Sequence, residues 1–420
     1  MFFLYQILLI ILLIFSPLII FFRIFKKKED KKRYKEKFCF PSKKRINGNL
    51  IWFHGSSVGE LLSILPLVQE LEKNESINQI LVTTSTLSSA QIFKKFSFKK
   101  TIHQFFPIDS ILFSYKFLNY WRPTIAIFVE SEIWPSIFRV LNKKNIPLKL
   151  LNARITKKTF NKWMRVKKFS NSVFQNISIA YPQNEETLNY LKKLNVKKIK
   201  KIGNLKFFNN QQSKLTKLDN TFLKNINLKK IWCASSTHPG EEIICADVHI
   251  NLKKKYKNLL TIIIPRHIHR VNKIVNEIKS LDLNIVLHSS RPKKLNNTDI
   301  YLVDTYGETQ KFYHSSDIVF MGKSISGKGG QNPLEPTNLG STVLYGPNVD
   351  NFKDTYKLLN KLKVAYKVNG VKTLTQSIDK LITKPNNKKN YLKIAKMGKK
   401  ILNETKDEIN SLFNNEIKKT

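Results

Sequence analysis

The sequence predicts an α/β protein with two Rossmann-like domains, preceded by a transmembrane helix. Three observations carry this prediction. The chain starts with a long uncharged stretch, short β-rich apolar runs then alternate with helix-length segments, and one polar, aperiodic stretch interrupts the alternation near the middle. The length of 420 residues exceeds what one hydrophobic core usually organises, so two domains of ordinary size are expected.

The amino-terminal stretch is long enough to cross a bilayer. Residues 2–22 carry no charged side chain, and 21 residues of helix would extend about 31 Å. A cleaved signal peptide is the alternative, but no basic segment precedes the apolar run and no small-residue cleavage site follows it. We therefore predict a single-pass membrane anchor over residues 1–25.

A basic juxtamembrane segment, residues 26–48, follows the anchor. Between residues 23 and 37, nine basic side chains stand against three acidic ones. By the positive-inside rule this excess places the following domains in the cytoplasm, and anionic lipids of the inner membrane are the expected partners of the segment. The basic residues are Arg23, Lys26, Lys27, Lys28, Lys31, Lys32, Arg33, Lys35 and Lys37.

The global charge and the cysteines exclude several functions. The formal net charge of +43 is spread along the whole chain, which indicates compositional bias, and no nucleic acid is expected as a partner. A membrane-tethered polyanion binder is the competing hypothesis from another class. Three cysteines form no Cys-x-x-Cys pair, so neither a disulfide framework nor a structural zinc site is predicted. We expect no metal and no cofactor.

The strand pattern divides the remainder of the chain into two domains. An N-terminal domain covers residues 49–208, a linker residues 209–229, and a C-terminal domain with C-terminal helices residues 230–420. Ligands of parallel sheets bind beyond the carboxyl ends of the strands, so we expect two facing domains with a central cleft lined by the loops after the strands. The predicted strands are residues 50–53, 80–82, 125–129, 148–151, 177–180, 231–234, 260–264, 283–287, 300–303, 318–321 and 343–345.

The loop after the first strand, residues 54–60, is a candidate for chemistry. Its glycines and serines precede a helix and let the backbone approach an anionic ligand at the helix N-terminus. Glu60 then lies in the first helical turn. Because Ser57 and Glu60 have the spacing of a capping box, a helix cap and a catalytic carboxylate are equally good interpretations of Glu60 from this segment alone.

Other charged side chains also come directly after predicted strands. Glu130 follows the strand at residues 125–129, where a buried carboxylate is costly unless it has a function. Glu132, nearer the next helix, is more simply explained as a cap of that helix. Arg154 and Lys206 each follow a strand and suit a phosphate or carboxylate, with structural salt bridges as the alternative.

The second half contains loops suited to a nucleotide. Ser236 and Thr237 belong to a hydroxyl-rich turn between a strand and a helix, and Pro265 and Arg266 follow the next strand. Residues 329–335 combine a glycine turn, a helix start and a carboxylate, which suits a ribose. Together with residues 304–308 on the preceding loop, they indicate a nucleotide-sugar site.

Taken in order, these segments resemble the 3-deoxy-D-manno-octulosonic acid (Kdo) transferases of lipopolysaccharide synthesis. The matches extend from about residue 52 to residue 352 in the correct relative spacing. The matching stretches are residues 57–60, 130–135, 152–154, 203–207, 236–242, 265–267, 307–308 and 332–335.

The resemblance implies a GT-B fold and the inverting transfer of Kdo from CMP-Kdo to a lipid A precursor, lipid IVA. It implies that Glu60 is the general base and that Glu130 and Lys206 stabilise the transition state. The CMP site would comprise Pro265, Arg266, Tyr306, Gly307, Glu308, Asn332, Pro333, Leu334 and Glu335. Candidate substrate-binding residues are Ser56, Ser57, Gly59, Arg154, Ser236 and Thr237.

The chain departs from the family pattern at three positions. The family usually has a small residue at position 323, His at position 331 and Met at position 306, where this chain has Lys323, Gln331 and Tyr306. Backbone contacts would survive these changes, whereas a side-chain contact at Gln331 is put in doubt. A different GT-B enzyme, using a UDP-sugar and another lipid carrier, shares the fold but not the full motif series.

Overall fold

The contacts of the computed structural model divide the chain into two units. The first unit combines Met1–Phe208 with the C-terminal residues from Gly398 onward, and the second unit occupies the sequence between them. The sequence-based boundaries placed the C-terminal helices wholly in the second domain, and the contacts differ from that placement for the last part of the chain. The structure describes residues 1–208, 218–292, 294–384 and 388–419.

An apolar helix, α1 (Phe2–Phe25), begins the chain. Among the described residues it is the one helix that is long and apolar enough to cross a membrane, judged by length and composition. The predicted apolar N-terminal helix is therefore confirmed. Its last turn carries Arg23, whose guanidinium donates to the carboxylate of Glu29 at 3.0 Å.

The basic segment after α1 is folded onto the first unit. A 3₁₀ turn covers Tyr34–Phe38, and the guanidinium of Arg33 donates to the carboxylate of Glu36 at 2.7 Å. Glu36 in turn accepts the backbone N–H of Phe105 at 2.7 Å. Because Phe105 belongs to the edge strand of the first sheet, this contact pairs a backbone group that an edge otherwise leaves open.

A six-stranded parallel sheet forms the centre of the first unit. Its strands are β1 (Leu50–His54), β2 (Gln79–Thr84), β3 (Thr101–Phe105), β4 (Ile125–Val129), β5 (Leu148–Ala153) and β6 (Ile177–Pro182). Their order is β3-β2-β1-β4-β5-β6. All the strands predicted in this half are present, and β3, which was not predicted, is added at the edge.

Helices cover the two faces of this sheet, as βαβ connections require. They are α2 (Val58–Leu71), α3 (Leu87–Phe93), α4 (Ile111–Trp121), α5 (Pro135–Lys143), α6 (Lys157–Arg165), α7 (Lys167–Phe174) and α8 (Glu185–Lys193). Trp52 is fully buried at the centre of the core, with its ring 4.8 Å from Phe117 and 5.0 Å from Phe128. Its indole N–H donates to Thr83 at 2.9 Å, so the polar part of this aromatic side chain is satisfied.

The predicted linker is only partly covered by the structure. Residues 209–217 lie outside the described residues. Within residues 218–229, Asn220–Asn227 form a helix, α9. The ring of Phe222 lies 4.8 Å from that of Tyr301, which packs this helix onto the second unit.

The second unit is built on a seven-stranded parallel sheet of order β13-β12-β11-β7-β8-β10-β9. Its strands are β7 (Lys230–Thr237), β8 (Leu259–Pro265), β9 (Ile285–Leu287), β10 (Ile300–Leu302), β11 (Ile318–Met321), β12 (Thr342–Tyr345) and β13 (Ala365–Lys367). Its helices after β7 are α10 (Glu241–Lys253), α11 (Val271–Lys279), α12 (Thr309–His314), α13 (Leu334–Asn338), α14 (Lys353–Lys361) and α15 (Val371–Ile382). The last helix, α16 (Lys388–Ile417), begins in this unit and belongs to the first unit from Gly398 onward. The prediction of two Rossmann-like sheets is confirmed.

The C-terminal part of α16 packs against the segment that ends the first unit. A Cβ atom at Gly398 would lie 2.4 Å from the carbonyl oxygen of Phe207, so only glycine permits this approach. Gly203 has φ +139, and a Cβ there would lie 2.8 Å from the side chain of Ile401. The hydroxyl of Tyr181 donates to Glu408 at 2.9 Å. The last helix therefore supports residues 203–207, which include the candidate residue Lys206.

Candidate active site

The candidate catalytic loops of the first unit lie where the strand order reverses. β1 pairs with β2 on one side and with β4 on the other. Successive strands therefore extend outward in both directions from β1, and ligands of open parallel sheets bind beyond the carboxyl ends of strands at such a switch point. Residues 54–60 follow β1 and residues 130–134 follow β4, so both predicted loops lie at this position.

Glu60 closes a capping box at the start of α2. Its Oε2 atom accepts the backbone N–H groups of Ser56 at 2.7 Å and Ser57 at 3.0 Å, and the Ser57 hydroxyl oxygen accepts the N–H of Glu60 at 3.4 Å. The predicted cap is confirmed. Because two backbone donors hold one oxygen, the cap also fixes the direction in which the carboxyl group points.

The acidity of Glu60 is unusual for a surface carboxyl group. Burial raises its pKa to about 7, and the neighbouring carboxylates of Glu132 and Glu130 raise it as well, while the backbone N–H groups of Ser57 and Ser56 act in the opposite direction. A carboxyl group with a raised pKa is a stronger base than an ordinary glutamate. This property suits general-base chemistry.

Glu132 is not the cap of the next helix, which corrects the simpler interpretation of that residue. Its Oε2 atom lies 3.0 Å from Nε2 of His54 and accepts the indole N–H of Trp134 at 2.9 Å. The start of α5 is instead capped by Asp109, which accepts the N–H groups of Ser136 at 3.0 Å and Ile137 at 2.9 Å. These contacts hold Glu132 close to Glu60 instead of at the start of the helix.

His54 is the buried partner that the sequence analysis did not single out. It is fully buried, its Nδ1 atom lies 3.0 Å from the hydroxyl of Thr83, and its ring stacks on Phe106 with centroids 3.8 Å apart. With both ring nitrogens engaged, the imidazole orients Glu132. The only signal for this role in the sequence is the position of His54 at the carboxyl end of a buried strand.

Glu130 and Lys206 form an ion pair. Glu130 is 4% exposed and has φ +55, a left-handed conformation that is costly for a side chain of this kind and is concentrated at functional sites. The ion pair brings together the two residues to which the resemblance assigns stabilisation of the transition state. The positive charge of the Lys206 ammonium group also compensates the negative charge of the buried Glu130 carboxylate.

Arg154 and Gly59 occupy the same edge of the sheet. The N–H of Arg154 donates to the carbonyl oxygen of Glu130 at 3.2 Å, and its own carbonyl accepts the hydroxyl of Ser131 at 2.7 Å. Gly59 is exposed, and a Cβ atom there would meet nothing within 4 Å. The first turn of α2 is therefore open to an approaching ligand on the side of Gly59.

In the second unit, a buried carboxylate joins two of the predicted loops. Glu241, at the start of α10, accepts the N–H of His238 at 2.9 Å from the loop after β7. It also accepts the N–H groups of Lys323 at 2.7 Å and Ser324 at 2.9 Å from the loop after β11. In the sequence, Glu241 and Glu242 are two consecutive acidic residues, a pattern that indicates the N-terminus of a helix. The pattern does not reveal that Glu241 joins two loops.

The hydroxyl-rich turn after β7, which contains Ser236 and Thr237, is held by hydrogen bonds to neighbouring protein groups. Ser236 has φ +55, and the buried hydroxyl of Thr237 donates to Glu242 at 2.9 Å. Glu242 is held in addition by Arg270, at 2.9 Å. The side chain of Thr237 thus has a structural partner, whereas the unusual backbone at Ser236 shapes the turn.

The residues predicted for the nucleotide follow the carboxyl ends of adjacent strands. Pro265 ends β8 and the exposed Arg266 follows it, while the loop after β10 carries Tyr306, which is 73% exposed. Gly307 has φ +86, and Glu308 pairs with Lys311 at 2.6 Å.

The loop after β11 carries the other predicted nucleotide residues. Asn332 accepts the N–H of Leu334 at 3.2 Å, Pro333 and Leu334 are buried, and Glu335 is exposed. Lys323 has φ +59. The backbone carbonyl oxygen of Gln331 accepts a hydrogen bond from the hydroxyl of Tyr356 at 3.1 Å. At Gln331 the structure thus records a backbone contact, which does not depend on the side chain that departs from the family pattern.

Comparison with known sequences assigns the family. Residues 32–209 match the family model described as 3-deoxy-D-manno-octulosonic-acid transferase. The enzyme of that name from Rickettsia bellii is 34% identical over 397 residues, which cover 92% of this chain and 93% of the relative. The Haemophilus influenzae enzyme of the same name is 29% identical over 372 residues, covering 86% and 85%.

Solved structures share the fold at low identity. A UDP-GlcNAc 2-epimerase from Neisseria meningitidis has a TM-score of 0.59 at 16% identity, covering 87% of this chain and 100% of that one. A trehalose-6-phosphate synthase has a TM-score of 0.54 at 10% identity, covering 87% and 99%. The fold and the sequence relatives together define a glycosyltransferase with a GT-B fold. The chain belongs to the 3-deoxy-D-manno-octulosonic acid transferase family.

Proposed function

We propose that the protein transfers Kdo from CMP-Kdo to a lipid A precursor, lipid IVA, with inversion at the anomeric carbon and release of CMP, in lipopolysaccharide core synthesis. The observation that carries this proposal is Glu60, a carboxyl group whose pKa is raised to about 7 and which is held at the switch point of the first sheet. Family membership supports the choice of Kdo as the transferred sugar.

The reaction assigns Glu60 the role of base. The acceptor hydroxyl oxygen attacks the anomeric carbon of Kdo, its proton passes to Glu60, and the bond from that carbon to the phosphate oxygen breaks, so that CMP leaves with the bonding electrons. Attack on the face opposite the leaving group inverts the configuration. A base at the hydroxyl avoids a free alkoxide, and the capping bonds to Oε2 orient it before substrate arrives.

Cations near Glu60 are assigned to the negative charges of the donor. Lys206, already paired with Glu130, offsets the charge that develops in the transition state. The carboxylate of Kdo also needs a partner, and the candidates are Arg154 and the amides of Ser56 and Ser57. Those two amides also donate to Glu60.

The second unit is assigned to CMP. Arg266 is exposed beyond β8 and suits a phosphate, since its guanidinium donates several hydrogen bonds at once. Exposed Glu335 suits the two hydroxyls of a ribose. Ser236 and the loop carrying Tyr306, Gly307 and Glu308 are assigned to the same ligand, and the first unit to the lipid acceptor.

The N-terminal helix is assigned to membrane attachment at the inner membrane, with both folded units in the cytoplasm. Its uncharged sequence and the exposed lysines that follow it support this assignment. The acceptor is itself a lipid with phosphate groups, so a protein held at the membrane surface meets it there.

The pH dependence of transfer is expected to report the pKa of Glu60. Activity falls as pH drops through about 7, because the base must be unprotonated to accept the hydroxyl proton. Glu132→Gln removes a nearby negative charge, so the pKa of Glu60 falls and the inflection of kcat/KM moves to lower pH. The exposed acid Glu75 provides the control, since Glu75→Gln is expected to leave the inflection in place. An inflection that does not move in Glu132→Gln would contradict the coupling of the two carboxylates.

The proposal is tested by offering purified protein CMP-Kdo and UDP-sugars in parallel, with and without lipid A precursor. We expect CMP to be released only when CMP-Kdo and the precursor are both present, and the mass of the product gives the number of Kdo units added. Turnover of a UDP-sugar instead would identify a different GT-B enzyme. Steeply salt-dependent polyanion binding without turnover would favour the non-catalytic alternative.

A further inference from the structure

One side of α1 is buried or half-buried at intervals along the helix. The residues of α1 that are buried or half-buried recur every three or four positions, which is the spacing of one helix face. The opposite face is exposed and apolar. The residues of the contacting face are Phe2, Tyr5, Gln6, Leu9, Leu13, Ser16, Ile20 and Arg23.

The first two turns of α1 are held by specific polar contacts. The hydroxyl of Tyr5 donates to Asp109 at 2.7 Å, and the amide of Gln6 donates to the hydroxyl oxygen of Ser136 at 2.8 Å. The guanidinium of Arg139 lies 4.4 Å from the ring centroid of Phe2. Asp109 is 3% exposed and also caps α5, so the start of α1 is bonded to the framework of the sheet.

The last turn of α1 is held by the same unit. Arg23 donates to Glu29 at 3.0 Å, and Glu29 also accepts from the ammonium group of Lys37 at 2.6 Å. Tyr5 and Arg23 are 18 positions apart, which corresponds to about 27 Å of helix, close to the thickness of a bilayer core. A spanning helix would place Tyr5 on the side of the membrane opposite to Arg23, where no contact with Asp109 is possible.

From these contacts we infer that α1 does not cross the membrane but lies in its plane, docked on the first unit, with its exposed face inserted into one leaflet. Lipid is the occupant that fits the exposed face, because the face is apolar throughout and exposed lysines suited to anionic headgroups directly follow it. This inference replaces the expectation of a single-pass anchor with an outward-facing start. The exposed apolar residues include Phe3, Leu4, Ile7, Leu8, Ile11, Ile14, Phe15, Leu18, Phe21 and Phe22.

The docked helix has a consequence for the acceptor, which rests on the proposed function. Asp109 follows β3 and Ser136 follows β4, so the start of α1 is bonded at the carboxyl edge of the sheet, where Glu60 also lies. Phe106, in the loop that carries Asp109, stacks on His54 at 3.8 Å and lies 5.0 Å from Trp134. The membrane surface therefore meets the protein at the catalytic edge, and a lipid acceptor reaches the base without leaving the leaflet.

Cysteine cross-linking in native membranes tests the docked position. We expect Gln6→Cys/Ser136→Cys to cross-link with a short thiol reagent, because the side chains of residues 6 and 136 touch. The control pair is Leu8→Cys/Ser136→Cys, in which residue 8 lies on the exposed face and no cross-link is expected. The native Cys39, Cys233 and Cys245 are buried, and burial raises the pKa of each thiol, that of Cys39 to about 12, so they do not compete. Cross-linking of the 6/136 pair in detergent but not in membranes would overturn the inference.

A second measurement does not depend on the geometry of a cross-link. A protease-cleavable tag placed before Met1 is expected to be cut in sealed inside-out vesicles, since both ends of α1 then lie on the side of the folded units. Protection of the tag would overturn the inference. Purified protein is also expected to bind protein-free vesicles of phosphatidylethanolamine and phosphatidylglycerol, and failure to bind would show that α1 needs a protein partner. None of these readouts involves the donor or the acceptor, so the proposed function is tested separately.

Discussion

Glu60→Gln is expected to lower kcat/KM for Kdo transfer by about 10²- to 10⁴-fold, the usual contribution of a general base. Glutamine keeps an oxygen that accepts the N–H groups of Ser56 and Ser57, so the start of α2 and the fold are preserved. CMP binding, measured by calorimetry, should be unchanged because the nucleotide is assigned to the second unit.

A matched control lies in the same helix. Glu70 is on α2 and pairs with Lys73 at the surface, at 2.7 Å. Glu70→Gln removes a carboxylate of the same helix without touching the switch point, and we expect full activity. Undiminished transfer by Glu60→Gln would refute the assignment of the base. Equal losses in both variants would indicate damage to the helix instead of lost chemistry.

Lys206→Met is expected to destabilise the protein and to abolish transfer. Glu130 is 4% exposed, and removing its partner leaves a buried charge uncompensated, which costs about 3–5 kcal/mol of the free energy of unfolding. Urea denaturation measures this change. The surface pair between Lys200 and Glu408 provides the comparison: with the Lys200 side chain 55% exposed, Lys200→Met should cost at most about 1 kcal/mol.

The double variant Glu130→Gln/Lys206→Met separates structure from chemistry. It removes both charges, so most of the lost stability should return, while transfer should remain absent because the cation that offsets the developing charge is gone. Recovery of activity together with stability would show that the pair is structural only. A Lys206→Met protein as stable as the parent would contradict the burial of an uncompensated carboxylate.

The sequence-based interpretation succeeded where one segment contains the whole pattern. The runs at β1 and β4 are continuous and apolar, and the capping box of Glu60 lies within four residues. β3 was missed because only two of the five side chains of Thr101–Phe105, Ile102 and Phe105, are apolar. The buried polar side chains of His103 and Gln104 have hydrogen-bond partners that the sequence does not reveal.

The contact between Glu132 and His54 could not be predicted because the two residues are distant in sequence. His54 and Glu132 are brought together by the parallel pairing of β1 with β4, and only the register of the two strands makes them neighbours. The same applies to the residues from Gly398 onward. A long amphipathic helix indicates that one face will be buried, but its pattern does not identify the surface that buries it.

The bridge at Glu241 determines how the donor end of the second unit can respond to a ligand. The carboxylate of Glu241 accepts backbone N–H groups from the loop after β7 and from the loop after β11. Displacing one loop alone would therefore leave backbone N–H groups without their hydrogen-bond acceptor. The shared carboxylate links the two loops, so we expect the proposed nucleotide site to be formed before the nucleotide arrives. If the protein uses CMP-Kdo as proposed, we expect discrimination between cytidine and other bases to come from side chains around these loops and not from a loop that closes over the correct donor.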